Sequence, residues 1–308
     1  MLSFPHAYAR VRDAYGLKKS KRFVISYLRY WPWSARWIEH ADALSQKHLC
    51  AGAPVDLIRA KYLRGYHSLR LGARDRLNML TGHYAALEHL FDGGTVAAAL
   101  GGRSMCLGRL GGKDETVYIL SLQRHMRYQF EGELTLMLTG LGHSDPLAAL
   151  TFNLADTGRS VRIAGMQGPA GGNAKQVIVA ATRNLWGARP KSLVLDALYA
   201  LAGVVGCNDI AAVATRNHPL NDINHRLVAD NDGFWAEIAS ARTRNQDFVL
   251  PAQLPVRDVS EVPAKKRKDW LRRQALKATL TAQVAAELSS RLRVAPPIDA
   301  QANLLAAE

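Results

Sequence analysis

Arg189 and Lys191 stand where basic side chains are electrostatically out of place. The run Gly187-Ala188-Arg189-Pro190-Lys191-Ser192 opens a helix-like segment. A helix N-terminus already carries partial positive charge, so cations there cost about 0.3–1 kcal/mol unless an anion offsets them. Upstream, the apolar run Val161 to Met166 breaks into Gln167-Gly168-Pro169-Ala170-Gly171-Gly172-Asn173. Glycines there let backbone amides approach a phosphate, although a plain turn would use them too. The chemistry implied is the holding of a phosphorylated group between two buried strands. Arg183 and Trp186, three residues apart on the intervening helix, share one side of it. Arg183 would then contact phosphate and Trp186 stack on a base or pantetheine, while a large aromatic equally suits the core. Ser192 is placed to cap the second helix and Pro190 to occupy its first turn. The expected binding set is Gln167, Gly168, Arg183, Trp186, Arg189, Lys191 and Ser192.

For proton transfer, His218 is the candidate base, because it follows the strand-like run Ile210 to Ala214 and strand ends present chemistry in open sheets. His83 lies on an amphipathic helix, and His125 has Glu131 and Glu133 as its nearest carboxylates in sequence. His143-Ser144-Asp145 is contiguous and is set aside, since triads assemble from distant residues. No G-x-S-x-G, Walker A, H-E-x-x-H or C-x-x-C pattern occurs, and no metal site is expected.

The elements that must hold these residues fall in a clear order. Two aromatic-basic segments, Phe23 to Trp37 and Leu57 to Leu71, and the run Ala73 to Phe91 read as helices. Leu77, Leu80, Tyr84, Leu87 and Leu90 make one buried face of the last, which Asp92-Gly93-Gly94 is expected to end. Short runs between glycines follow: Val117 to Leu122, Glu133 to Leu138, Ala148 to Leu154 and Val161 to Met166, an antiparallel meander. Two helices and a strand come next, with Phe234 and Trp235 anchoring a turn and Phe248 to Pro251 as a last edge strand. Glu261 to Leu292 reads as a basic helix docked by Leu276, Leu280, Val284 and Leu288. The fold class is α+β: a helical region over 1–100, a core over 101–260 with one mostly antiparallel sheet carrying packed helices, and a basic helix and tail over 261–308.

The chain has 308 residues, 48% of them hydrophobic and 21% charged, which suits a globular protein. No window approaches the roughly 18 apolar residues of a transmembrane segment. The N-terminus does not read as a secretory signal, and three scattered cysteines fit a reduced, cytoplasmic protein. The formal net charge of +14 points to polyanions: phosphorylated small molecules, nucleic acid or an anionic membrane face. Lys18, Lys19, Lys21, Arg22 and Arg29 concentrate it near the N-terminus, and Lys265 to Lys268, Arg272 and Arg273 near the C-terminus.

In order along the chain come His83-Tyr84, Gly132 to Leu136, Gly165-Met166-Gln167-Gly168, Ala181-Thr182, Gly187 to Lys191, Phe234-Trp235, Leu250-Pro251 and Pro263 to Arg267. This series resembles the VirK/YbjX family, domain of unknown function 535, from about Tyr62 to Leu288. The resemblance implies an association with virulence and envelope stress in enterobacteria and no particular reaction. A second resemblance is to the GNAT-type N-acetyltransferase fold. It implies a GNAT-like core in which the strand ending Ala164 to Gly168 and the helix start Arg189 to Ser192 hold an acyl donor. This chain inserts a whole helix there and lacks the glycines of the usual loop. Two functions are therefore expected in competition. One is an acyl- or aminoacyl-transferase using a coenzyme A thioester or aminoacyl-tRNA, with an amine acceptor and His218 as base. The other is a non-enzymatic protein that binds nucleic acid or an anionic membrane surface.

Overall fold

The computed structural model describes residues 16–48, 58–63, 65–140, 145–221 and 231–293, with 5, 8, 9, 12 and 13. Expectations for His143, Ser144 and Cys50, for the Lys18, Lys19 and Arg22 side chains, and for the tail from 294 lie outside the described residues.

Helices α1 (Leu17–Arg29) and α2 (Trp33–Lys47) precede a 3-10 turn at Lys61–Leu63. Among the described residues of the expected helix Leu57 to Leu71, only Ile58 and the 3-10 turn are helical, and 65–71 are not. Lys61 and Tyr66 instead direct their side chains onto a buried glutamate of the sheet, and tertiary contacts override local propensity. Helix α3 (Ala73–Leu90) buries Leu77, Leu80, Tyr84 and Leu87 as its spacing requires. Asp92 does not close it in a left-handed glycine. Its carboxylate accepts the Thr95 N–H at 2.7 Å and starts helix α4 (Gly93–Gly101).

The strands are β1 (Met105–Gly111), β2 (Val117–Gln123), β3 (Leu134–Gly140), β4 (Ala148–Ala155) and β5 (Ser160–Gln167). Helices α5 (Ala174–Asn184) and α6 (Pro190–Val205) lead to β6 (Asp209–Ala212). A short helix α7 (Asp232–Ala236), β7 (Ala241–Arg242), β8 (Phe248–Leu250) and the long helix α8 (Ala264–Ser289) complete the described chain. The sheet order is β1-β2-β3-β4-β5-β6-β8-β7. All pairings are antiparallel except β5 with β6, which needs the long α5–α6 crossover. Phe248–Leu250 is thus an inner strand, and β7 covers the edge it was expected to form.

Alternation along β3 separates two faces. Leu134, Leu136 and Leu138 lie on the side of α6, which packs on β3 and β4. Glu133, Thr135 and Met137 lie on the side of α3, whose Tyr84 touches Glu133. Helix α8 packs along α6 and β1 through Leu276, Leu280, Val284 and Leu288, all buried as expected. Each of the fully buried three is worth about 1.5–3 kcal/mol of apolar burial. One continuous core runs from Trp37 to Leu288. Among the described residues no helix is long and apolar enough to cross a membrane.

Candidate functional site

Strands β5 and β6 run side by side only from Ser160↔Asp209 to Ile163↔Ala212, with one further bond from Val213 N–H to Ile163 O (2.8 Å). Beyond that point Asn231 stands in for a strand, donating Nδ2 to Met166 O at 2.9 Å. Its Oδ1 accepts from Lys191 Nζ at 2.7 Å, which ties the start of α6 to the end of β5. On the other side β5 bulges against β4, where Thr151 faces Gly165 and Phe152 faces Ile163, leaving Ala164 as the extra residue.

A carboxylate fills the space at this bulge. Glu131, on the β2–β3 connection, is 1% exposed, and Gln167 Nε2 donates to its Oε1 at 2.9 Å. His218 Nε2 lies 3.4 Å from the same oxygen, out of hydrogen-bond alignment, while its Nδ1 accepts the Leu220 N–H at 3.3 Å. Glu131 Oε2 is buried without a hydrogen-bond partner. A Cβ built on Gly165 would stand 1.6 Å from Oε2, so the glycine is what gives that oxygen its place. Gly165→Ala is expected to destabilise the protein by about 1–3 kcal/mol through overpacking and to break the Gln167–Glu131 bond. An unchanged urea midpoint would show instead that Glu131 has room to move.

Around the end of β5, Gln167 and His218 thus face Glu131, whose nearest sequence association is with His125, while Lys191 is held by Asn231. His218 has Nδ1 taken by a backbone amide and Nε2 facing Glu131 without a hydrogen bond. Ser192 makes no cap; Arg189 holds the N-cap place, with Pro190 after it as expected. Arg189 is exposed and pairs with Glu237 at 3.8 Å, an ion pair worth no more than about 1 kcal/mol. Gly168 lies half-buried at the end of β5, and the next amide but one, Ala170 N–H, reaches Asp145 Oδ2 at 3.4 Å. The loop thus already holds one carboxylate of the chain itself.

The family model "Protein of unknown function (DUF535)" matches residues 13–286, most of the chain. The chain belongs to the DUF535 family. The DUF535 chain is also 27% identical over 229 residues, 72% of its length and 69% of the relative's, to "Uncharacterized protein YbjX" of Escherichia coli (strain K12). No solved structure matches its fold significantly.

On the same sheet face the DUF535 chain buries a second polar cluster. Glu133, fully enclosed, accepts from Lys61 Nζ at 2.6 Å, Tyr66 Oη at 2.9 Å and Tyr84 Oη at 2.5 Å, and Arg124 Nη1 lies 3.9 Å away. Lys61 and Arg124 hold its carboxyl down to about 2, against the pull of burial. Burial pushes Lys61 down to about 8, and raises Tyr66 and Tyr84 well above the usual phenol range. His83 Nδ1 accepts the Leu154 N–H at 3.0 Å, and His67 Nδ1 faces Asn153 Nδ2 at 3.1 Å. These bonds stiffen the sheet beside the Glu131 bulge. Among the described residues no group of three or more His, Cys, Asp or Glu is placed to hold a metal ion.

Arg183 and Trp186 are not part of the β5 site. Arg183 is exposed, and Trp186 lines a separate cleft with Arg109, Lys113 and Arg272.

Proposed function

We propose that this chain is an acyl- or aminoacyl-transferase built on a GNAT-like plan. Supporting that plan are an antiparallel meander, a bulged strand, a helical crossover and one parallel strand that parts from the bulged one. The observation that carries the reading is the buried Glu131, held on one oxygen by Gln167 with His218 Nε2 3.4 Å away, while the other oxygen stays unpaired at the bulge. Such an oxygen is set to take a proton. In the proposed step the amine nitrogen attacks the donor carbonyl and passes a proton to Glu131 Oε2. The new C–N bond forms as the C–S or C–O bond to the donor breaks, and the leaving sulfur or oxygen takes up a proton. Arg189 and Lys191, at the start of α6, would hold donor phosphates there.

The test incubates the purified protein with acetyl-coenzyme A or a charged transfer RNA and a panel of amines. Glu131→Gln is expected to lower kcat about 10²–10⁴-fold, the usual share of a general base. The Arg189→Ala/Lys191→Ala pair should instead raise the donor KM. Absence of turnover with either donor would overturn the reading. Salt-sensitive retention on polyanions without transfer would favour the second one, non-enzymatic binding of nucleic acid or an anionic surface. That reading draws on the exposed Lys265, Lys266 and Lys268 at the start of α8.

A further inference from the structure

Between the β1 edge, the α5–α6 turn and α8 lies a cleft of about 670 Å³, within the size range of small-molecule sites. Leu110, Ala275 and Leu276 supply apolar surface, Trp186 an aromatic wall, and Arg109, Lys113 and Arg272 positive charge. Among the described residues no carboxylate pairs with any of these three cations. Elsewhere Arg162 pairs with Asp209, Lys277 with Asp196 and Arg291 with Glu287. The acid next in sequence, Asp114, is turned away to Asn184 Nδ2 at 2.7 Å and the Thr116 N–H at 3.0 Å. No acidic residue lines the cleft.

Trp186 has a φ of 51°, a left-handed conformation that non-glycine residues rarely take. The turn is fixed around it: Gly187 N–H donates to Thr182 O at 2.8 Å, and Arg273 Nη1 to Gly187 O at 3.3 Å. The ring is therefore kept half-buried at the cleft wall. Strained backbone that survives in a well-tied turn commonly marks a working position.

We infer that this cleft binds a nucleoside phosphate, its base stacked on Trp186 and its phosphates met by Arg109, Lys113 and Arg272. An inorganic anion would use the cations but neither the ring nor the apolar floor. A bilayer surface offers no ring to stack and cannot enter a concavity. Aromatic stacking combined with guanidinium contacts is the usual chemistry for holding a base and its phosphate. The site stands independently of the transferase reading, because occupancy is read without turnover.

Calorimetric titration of the full chain with ADP, adenosine, pyrophosphate, a short single-stranded oligoribonucleotide and anionic phospholipid vesicles tests the assignment. ADP is expected to bind, with adenosine and pyrophosphate each at least about tenfold weaker. Trp186→Leu and the exposed pair Lys113→Ala/Arg272→Ala should each weaken ADP by about tenfold or more, and the second leaves the fold untouched. An oligonucleotide tighter than ADP would identify nucleic acid as the source of the nucleotide, and parity would identify the free form. The inference is overturned if no nucleotide probe binds, if pyrophosphate matches ADP, if neither variant weakens ADP, or if only vesicles bind.

Discussion

Replacing Glu133 by alanine is expected to cost about 3–5 kcal/mol, the range for leaving a buried charge without its partner. The carboxylate is enclosed on all sides, and it is the group that Lys61, Tyr66, Tyr84 and Arg124 all face. Its removal leaves two buried cations and the Tyr84 phenol without their acceptor, and Tyr66 with Asn153 Oδ1 alone, a loss that is a large part of the 5–15 kcal/mol that usually holds a domain folded. Urea unfolding of Glu133→Ala measures this. Glu133→Gln keeps the volume and isolates the charge. Pairing either change with Lys61→Met should be less costly than the two single effects added, because the partners share one interaction. Additive costs would show that Lys61 and Glu133 do not stabilise each other. The native carboxyl titrates near 2, below its usual range, so its contribution holds above about pH 4.5 and is lost only as pH falls from there toward 2.

A loss of stability at milder acidity is expected from two histidines. Burial, the leading cause, lowers both His67 and His83 to about 4 from an ordinary 6.5. Between those values the unfolded chain binds protons that the native chain does not, so stability rises with pH across the window and falls on acidification. Going from pH 7 to pH 5 should cost about 2 kcal/mol for each ring. Geometry supplies the reason for His83: protonating Nδ1 would remove the acceptor of the Leu154 N–H, inside β4. Urea midpoints measured from pH 7 to pH 4 should fall steeply below pH 6.5, and His83→Gln should remove about half the slope. A flat profile down to pH 5 would mean that neither ring is held neutral.

Much of the scaffold is written in short-range pattern. The stripe Leu276, Leu280, Val284 and Leu288 and the face of Leu77, Leu80, Tyr84 and Leu87 each repeat at helical spacing, so burial follows from local periodicity. Where local signals misled, a distant partner had intervened. Leu57 to Leu71 has helical composition, yet Lys61 and Tyr66 are claimed by Glu133, 72 and 67 residues away. Asp92-Gly93-Gly94 has the composition of a helix stop, but Asp92 serves as the cap of the next helix.

The candidate site divides the same way. Gln167, Lys191 and His218 were legible because turn glycines, a helix start and a strand end mark such places in sequence. Glu131 was not, since it lies in a β2–β3 connection with no motif around it, and only the bulge at Gly165 brings β5 to it. Trp186 shows the converse: its type suggests a binding role, but its cleft partners come from β1, the β1–β2 turn and α8, which no local spacing connects.

The sequence by itself determined the family, the helix–meander–crossover order and the apolar surfaces, because each depends on residues a few places apart. The tertiary structure decided what became of the sheet's second face. Alternation in β3 and β4 places Thr135, Thr151 and Asn153 there, a pattern that ordinarily faces water. The N-terminal region covers that face and brings Lys61, Tyr66, His67 and His83 into it. Polar groups cut off from water must then pair with one another. That requirement, which acts only once the chain is folded, built the Glu133 network and left one oxygen of Glu131 unpaired beside it.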